Sequence, residues 1–560
     1  MPRKIWLLGA FVIMAPLVQA AETETEAKAF IAKHLKVVKP LELAAGKAWW
    51  DANVSGKDED FAKKQANQDK LDAALADKAM FKELKAIREN KKEIKDAVLA
   101  RTVEVLFLMY QEKQVDPELL KKITAKANAV EQKFNVFRAK VGDQEMSDSQ
   151  VRKVLKESTN SEERQKVWEA SKKSGANVEA DLKELVKLRN EAAKELGFKN
   201  FHELMLFLNE QNASDLIKLF DELDELTREP FAKAKAEIDE RLAKNCGVKV
   251  ADLMPWHYHD LFFQDSPAVF DADLDAPYRD ADILKLCEKF YEGIGLPIGD
   301  VIARSDLYEK KGKSPHAFCT DIDREGDVRV LANITPTEYW MSTMLHELGH
   351  AVYSSKNIPQ GVPYILRGES HILATEGVAM QFQKFSKQRA WLEKMGVKKI
   401  ENPKAFDEAA AKVLRNELLI FSRWCQVMLR FEKGMYEKPD QDLNKLWWDL
   451  VEKYQLLKRP MDRNAPDYGA KIHICSAPVY YHNYMMGQLF ASQVHHTIAK
   501  ELYDNADPAT VLYIGDKKVG DFMKKKVFEP GRTLSWKELM KHATGEELSA
   551  KAFAEDFRTK

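Results

Sequence analysis

Thr335-Pro336-Thr337-Glu338-Tyr339-Trp340-Met341-Ser342-Thr343-Met344-Leu345-His346-Glu347-Leu348-Gly349-His350-Ala351-Val352 decides how this chain is to be read. Met341, Met344, Leu345, Leu348 and Val352 recur at helical spacing, so the stretch is a helix with one apolar face. Thr335-Pro336-Thr337-Glu338 reads as its start, a capping box with proline at the first helical position. On that helix His346 and His350 stand four residues apart on one face, the spacing of two zinc ligands, with Glu347 beside them as candidate base. The five-residue motif also arises on ordinary surface helices, and the helical context is what marks this copy as a metal site.

A catalytic zinc keeps three protein ligands and one open position, so a third ligand is expected downstream. Arg367-Gly368-Glu369-Ser370-His371-Ile372-Leu373-Ala374-Thr375-Glu376-Gly377 offers Glu369, His371 and Glu376, and the residues after Ser370 read as a second helix. Upstream, His316 to Ile322 and Asp327 to Asn333 read as two short strands joined by a turn through Arg324, Glu325 and Gly326. An edge strand carrying Ala317 pairs with an extended peptide through main-chain hydrogen bonds, whatever the peptide's side chains.

These residues resemble a known family. His346 to His350, followed 26 residues later by Glu376, with Arg367 nine residues before that glutamate, is similar to the zinc core of the peptidyl-dipeptidases related to angiotensin-converting enzyme, which are gluzincins. The gap from His350 to Arg367 is two residues longer here than in the animal enzymes. Pro315-His316-Ala317-Phe318, Lys471-Ile472-His473-Ile474, Pro478-Val479-Tyr480-Tyr481-His482-Asn483-Tyr484 and Arg189-Asn190-Glu191-Ala192-Ala193 with Gly197-Phe198 also resemble family segments, in the family's order from about residue 180 to 490.

The resemblance implies one zinc ion per chain, with Glu376 joining His346 and His350 as ligands. It implies that Glu347 takes a proton from the attacking water and returns it to the leaving amine. His316 and Ala317 are expected to bind the substrate backbone and carbonyl. His473 and Tyr484 are expected to donate to the scissile carbonyl or its oxyanion, and Lys471 with Tyr481 to hold a C-terminal carboxylate. The implied fold is a mainly α ellipsoid of two helical halves around a deep central channel, with a small β element near the zinc.

The chain departs from the family's pattern at several places. Tyr258, in Trp256-His257-Tyr258-His259, falls where the family has a glutamine that helps bind the carboxylate. Met380 replaces an acidic residue that orients a zinc histidine, so another partner must do that work. Asn483 replaces an arginine of the chloride response, and Pro315 replaces a disulfide cysteine.

Composition agrees with this reading. Charged residues make up 31% of 560, and amphipathic helical periodicity runs through Phe61 to Met109, Pro117 to Val141 and Asp215 to Leu242, so the fold is mostly α. No linker or repeat divides the chain, which makes residues 21–560 a single catalytic domain. Residues 1–20 read as a cleavable signal peptide. Arg3 and Lys4 precede the apolar run from Ile5 to Val18, and Val18-Gln19-Ala20 forms the cleavage site. Its removal takes the formal net charge from −1 to −3, a balance that excludes nucleic acid as a partner, and no later segment could cross a membrane. Cys246, Cys287, Cys319, Cys425 and Cys475 are odd in number, so at least one is unpaired within the monomer. His495-His496, adjacent on a helix, point in different directions, and His257 and His259 read as structural.

The function expected is zinc-dependent hydrolysis of short peptides in the periplasm or outside the cell, releasing C-terminal dipeptides. A thimet-type oligo-endopeptidase and, from another class, a peptide-binding protein with a vestigial zinc site are the alternatives. Nothing in the sequence indicates oligomeric state.

Overall fold

Aspartates start the N-terminal helices. Asp77, Asp96 and Asp116 each accept two backbone N–H groups of the first turn, which leaves the following apolar positions free to pack. The computed structural model describes residues 14–270, 273–397 and 400–557, with side chains from Glu22 onward. Of the expected signal segment, residues 1–13 lie outside the described residues.

Helix α1 (Met14–Ser55) is followed by α2 (Asp58–Leu75), α3 (Lys78–Glu89) and α4 (Ala97–Glu112). Helix α5 (Pro117–Val136) ends before the expected Val141, because a turn at Gly142-Asp143 folds the chain into a hairpin of β1 (Ala139–Val141) and β2 (Gln144–Met146). Then come α6 (Asp148–Glu157), α7 (Ser161–Glu195), α8 (Phe201–Leu208), α9 (Ala213–Cys246), α10 (Ile283–Gly293) and α11 (Gly299–Arg304). The expected hairpin is present as β3 (Phe318–Asp321) and β4 (Val328–Leu331), antiparallel, with Phe318 opposite Leu331. Helices α12 (Glu338–Val352), α13 (Ile372–Gln383), α14 (Arg389–Met395), α15 (Pro403–Glu437), α16 (Leu443–Gln455), α17 (Ile472–Ser476) and α18 (His482–Leu502) carry the C-terminal half. Helices α19 (Lys517–Met523), α20 (Trp536–Thr544) and α21 (Lys551–Glu555) complete it. The described chain is mainly α, with two small two-stranded sheets.

One large apolar core joins α5 through α21. A second, built from Phe30, Leu84, Leu106 and Tyr110 of the N-terminal helices, packs on Tyr364-Ile365-Leu366 between α12 and α13. On α12 the five predicted apolar positions, Met341, Met344, Leu345, Leu348 and Val352, are all fully buried. The start of this helix differs from the sequence reading: Thr337 is the cap, its hydroxyl accepting from the Trp340 amide at 3.3 Å, and Pro336 precedes it. Thr337 N bonds Thr335 O at 2.8 Å, which keeps Thr335 in the preceding loop.

Close helix crossings set the site. A Cβ on Gly349 would lie 2.8 Å from Ala379 Cα, so glycine lets α12 press against α13. A Cβ on Gly487 would lie 3.0 Å from Glu376 Cβ, so α18 crosses α13 backbone to backbone beside the third expected ligand. The β3–β4 turn is tied to the end of α12, with Gly326 N donating to Ser355 Oγ at 2.9 Å and Ser355 N to Asp321 Oδ2 at 2.9 Å.

Candidate metal centre and substrate cleft

His346 and His350 project from one face of α12, and Glu376 from the second turn of α13. Their ligand atoms all lie within 4.8 Å of one another. His346 Nε2 is 3.5 Å and His350 Nε2 4.0 Å from Glu376 Oε2. The two Nε2 atoms are 3.1 Å apart.

The outer partners decide what those nitrogens offer. His346 Nδ1 donates to Gln383 Oε1 at 2.8 Å, and His350 Nδ1 pairs with Thr375 Oγ1 at 2.8 Å. A ring that carries its proton on Nδ1 presents a bare lone pair at Nε2. Burial pushes the His346 ring down to about 4 and that of His350 well below its ordinary value, so both stay neutral at pH 7. With both rings carrying the proton on Nδ1, two lone pairs face each other beside a carboxylate, a donor set that a cation satisfies and a mutual hydrogen bond does not. The three residues are a donor set that would hold a zinc ion. Gln383 and Thr375, which the sequence reading missed, do the orienting that Met380 cannot. Both lie on α13, within a helical turn or two of Glu376, and that proximity was the signal available.

Glu347 is buried beside this cluster. Burial and the facing Glu376 push its carboxyl up to about 8, against a hydrogen bond from the Cys319 amide, and burial pushes Glu376 up to about 7. The Cys319 amide also fixes the sense of β3. Ile322 N bonds Asp327 O at 2.9 Å, so even-numbered residues turn their N–H toward β4 and odd-numbered ones turn it outward. Ala317 immediately precedes β3, two residues before Cys319. His316 is exposed, and its side chain has no hydrogen bond among the described residues.

Lys471, His473, Tyr481 and Tyr484 form a second cluster. Lys471 is 6% exposed and lies 5.2–5.7 Å from the ring centroids of Phe262, Trp424 and Tyr481. Its ammonium donates to Gln264 Oε1, and burial pulls it down to about 8 while Asp260 and Asp265 oppose the shift. The His473 ring sits 4.9 Å from Tyr481 and 6.5 Å from Tyr484, with Nδ1 buried and without a partner among the described residues. Burial and Lys471 push it down to about 4, so it is neutral. Burial and the charge of Glu376 push Tyr484 up to about 12, which keeps it a donor and places it within electrostatic reach of the metal cluster. Tyr480, a tyrosine the sequence reading left aside, hydrogen-bonds Tyr484 and also feels Glu376.

Comparison with known proteins agrees with this geometry. Residues 21–257 match the profile of the family described as angiotensin-converting enzyme, and residues 302–559 match that of Peptidase family M3. The angiotensin-converting enzymes of Mesocricetus auratus and Rattus norvegicus are 25% and 24% identical over 287 and 295 residues, 49% of this chain. The angiotensin-converting enzyme-like protein Ace3 of Mus musculus is 22% identical over 418 residues, 69% of this chain and 55% of that protein. Over these two stretches the chain is similar to zinc metallopeptidases of the gluzincin kind. It spans 22% of the length of the first two relatives.

The competing ligands have other occupations. His371 caps α13, accepting from Leu373 N, and its Nε2 pairs with Asn209 O at 3.0 Å. The Glu369 carboxyl faces Arg532, Asp321 and Arg324. Arg367 ties down its own loop through Val362 O and Gln360. Tyr258, placed by sequence at the glutamine position, instead bonds Asp239 and Lys235 in the core, and the glutamine beside Lys471 is Gln264, six residues on. An irregular segment without periodicity, 258–264, hid that shift. Asn483 is buried and accepts from Gln211 at 2.8 Å. His257 pairs with Ser161 at 2.8 Å and His259 accepts from Ala268 N, both structural. His495 turns to Tyr513 and Pro508, and His496 to Asp556, so the adjacent pair shares no metal. All five cysteines are free thiols. No helix among the described residues is long and apolar enough to cross a membrane.

Proposed function

We propose that this protein hydrolyses short peptides and releases dipeptides from their C-terminal end. The carrying observation is Lys471, a buried ammonium with one hydrogen-bond acceptor, Gln264, lying against Tyr481 and beside His473. A substrate carboxylate takes up its remaining donors. His346, His350 and Glu376 would hold a zinc ion, which would supply Lewis acidity toward a carbonyl and a water. The chain's own groups do the rest. The open edge at Ala317 aligns the substrate backbone, and Glu347 takes the proton from the attacking water and passes it to the leaving amine. Tyr484 and the neutral His473 donate to the developing oxyanion in a cleft with little water. His316 reaches the substrate only as an exposed group at the rim.

A thimet-type oligo-endopeptidase is the second reading, favoured by the match of residues 302–559, which hold the zinc helix, to Peptidase family M3. Mass spectrometry of products from a mixed library of short peptides tests the choice. Dipeptides alone support the first reading, and mixed product lengths support the second. The basic-then-apolar start, Arg3 to Val18, supports export to the periplasm or exterior after removal of residues 1–20. Short peptides are the proposed partners, and the balanced charge argues against nucleic acid.

A further inference from the structure

The Arg189-Asn190 segment of α7 adds no group to the metal cluster or the Lys471 cluster. Its side chains reach α15 instead. Arg189 Nη1 donates to Tyr436 Oη at 3.1 Å, Asn190 Nδ2 donates to Tyr436 O at 2.8 Å, and Asn190 Oδ1 accepts from Phe201 N at 2.9 Å. One turn earlier on α15 stands Glu432, 2% exposed, whose Oε1 accepts the Val479 N–H at 2.9 Å.

Val479 is an unusual residue to find there. Its φ is +56°, the left-handed region that a β-branched side chain enters only under constraint. It is 2% exposed, follows Pro478, and stands at the root of the segment that carries Tyr480, Tyr481 and Tyr484. Strained backbone persists where its surroundings over-determine it, and such strain collects at functional sites. Glu432 is the side-chain hydrogen-bond partner of the strained amide, and α7 braces the turn of α15 that bears it.

We propose that Glu432 is a positioning residue, a buried clamp that holds Val479 in its left-handed conformation and thereby presents the tyrosine segment to the cleft. Burial pushes the Glu432 carboxyl up to about 8, with the Val479 amide and Arg189 opposing, and a carbonyl-type oxygen remains to accept in either protonation state. The clamp thus depends on an acceptor at this point and not on a charge.

Glycine adopts a positive φ without strain, so it removes the need for a clamp. This gives a test that a plain packing role fails. The proposal rests on hydrolysis by this site and not on the direction of cutting. Hydrolysis of an internally quenched peptide, hydrogen exchange of residues 477–486 and zinc content are measured together. Glu432→Gln, which keeps the acceptor, should stay within about threefold of the parent in kcat. Glu432→Leu should lose at least about tenfold in kcat with KM changed by less than about threefold, exchange faster in 477–486, and retain its zinc. Adding Val479→Gly to Glu432→Leu should recover most of the loss in both readouts. Glu432→Leu as active as the parent, Glu432→Gln as damaged as Glu432→Leu, or no recovery with Val479→Gly would overturn the proposal. Should Glu432→Leu not fold, folding regained in the double variant supports the clamp, and a double variant that is also unfolded refutes it. An inactive parent would sink the peptidase reading, while the exchange measurement still reads the clamp.

Discussion

Replacing Lys471 by methionine is the perturbation whose outcome the structure constrains most. Burial draws this ammonium from 10.5 to about 8, which by the conversion of pKa shifts means that its charged form costs the free protein ~3 kcal/mol. A carboxylate that pairs with it recovers most of that cost, which corresponds to a factor of roughly a hundred in kcat/KM. An amidated peptide brings no charge and recovers none. The parent should therefore cleave a free-acid peptide about a hundredfold better than its amide, and Lys471→Met should erase the ratio by slowing the acid form alone. The sign with pH follows from the same group: Lys471 is charged below about 8, so the acid-over-amide ratio is full at pH 6–7 and fades as pH rises through that value. Stability runs the opposite way. The destabilisation is full below the folded value of about 8 and vanishes by 10.5, so Lys471→Met should melt no lower than the parent at pH 7. The assay is kcat/KM for matched acid and amide peptides across pH, with calorimetry alongside. Equal rates for the two peptides in the parent would refute the anchor and hand the cleft to the endopeptidase reading.

The metal and its neighbours yield further outcomes. His350→Ala should lose zinc, measured by elemental analysis at about one ion per parent chain, together with all but residual activity, and exhaustive chelation of the parent should do the same. Glu347→Gln should keep zinc and substrate affinity while turnover falls by at least about a hundredfold; near-normal turnover would place the base elsewhere. Gln383→Leu should leave the fold intact and weaken zinc roughly ten- to a hundredfold in a competition titration, because His346 loses its orienting partner. Gly349→Ala should cost about 1–3 kcal/mol in denaturant unfolding, since its methyl meets Ala379 Cα at 2.8 Å and must drive α12 off α13.

What the sequence disclosed and what it concealed divide along physical lines. Helical periodicity predicted the five apolar positions of α12 that are buried, though Ser342, Glu347, Gly349 and Ala351 are buried with them, and alternation with a turn predicted β3 and β4, because both signals are local. His346, His350 and Glu376 converge as expected, since four-residue spacing on one helix is itself geometry. Lys471, His473, Tyr481 and Tyr484 lie together, as segments of one order along the chain, while their roles toward a substrate belong to the proposed function. Gln264 was missed, and Tyr258 put in its place, because the chain between them follows no repeating pattern from which a register can be counted. Gln383 and Thr375 were missed for another reason: an outer partner is chosen by rotamers across a helix pair, and pattern alone does not reveal rotamers. The cap moved from Thr335 to Thr337 because two candidate hydroxyls flank one proline, and only the tertiary path of the chain selects between them.

The crossing of α13 and α18 has a consequence for anyone redesigning this molecule. At Gly487, three residues after Tyr484, the main chain of α18 meets the Glu376 Cβ and the Gly377 amide of α13 with no side chain of its own between them. The separation of Glu376 from Tyr484 therefore rests on this close crossing, which any side chain at 487 would force apart. Variation at this seam can only break the catalytic spacing. New specificity has to be sought where the walls are made of side chains, around Gln264 and Lys471, where a substitution changes which peptide end is held and leaves the helix crossing in place.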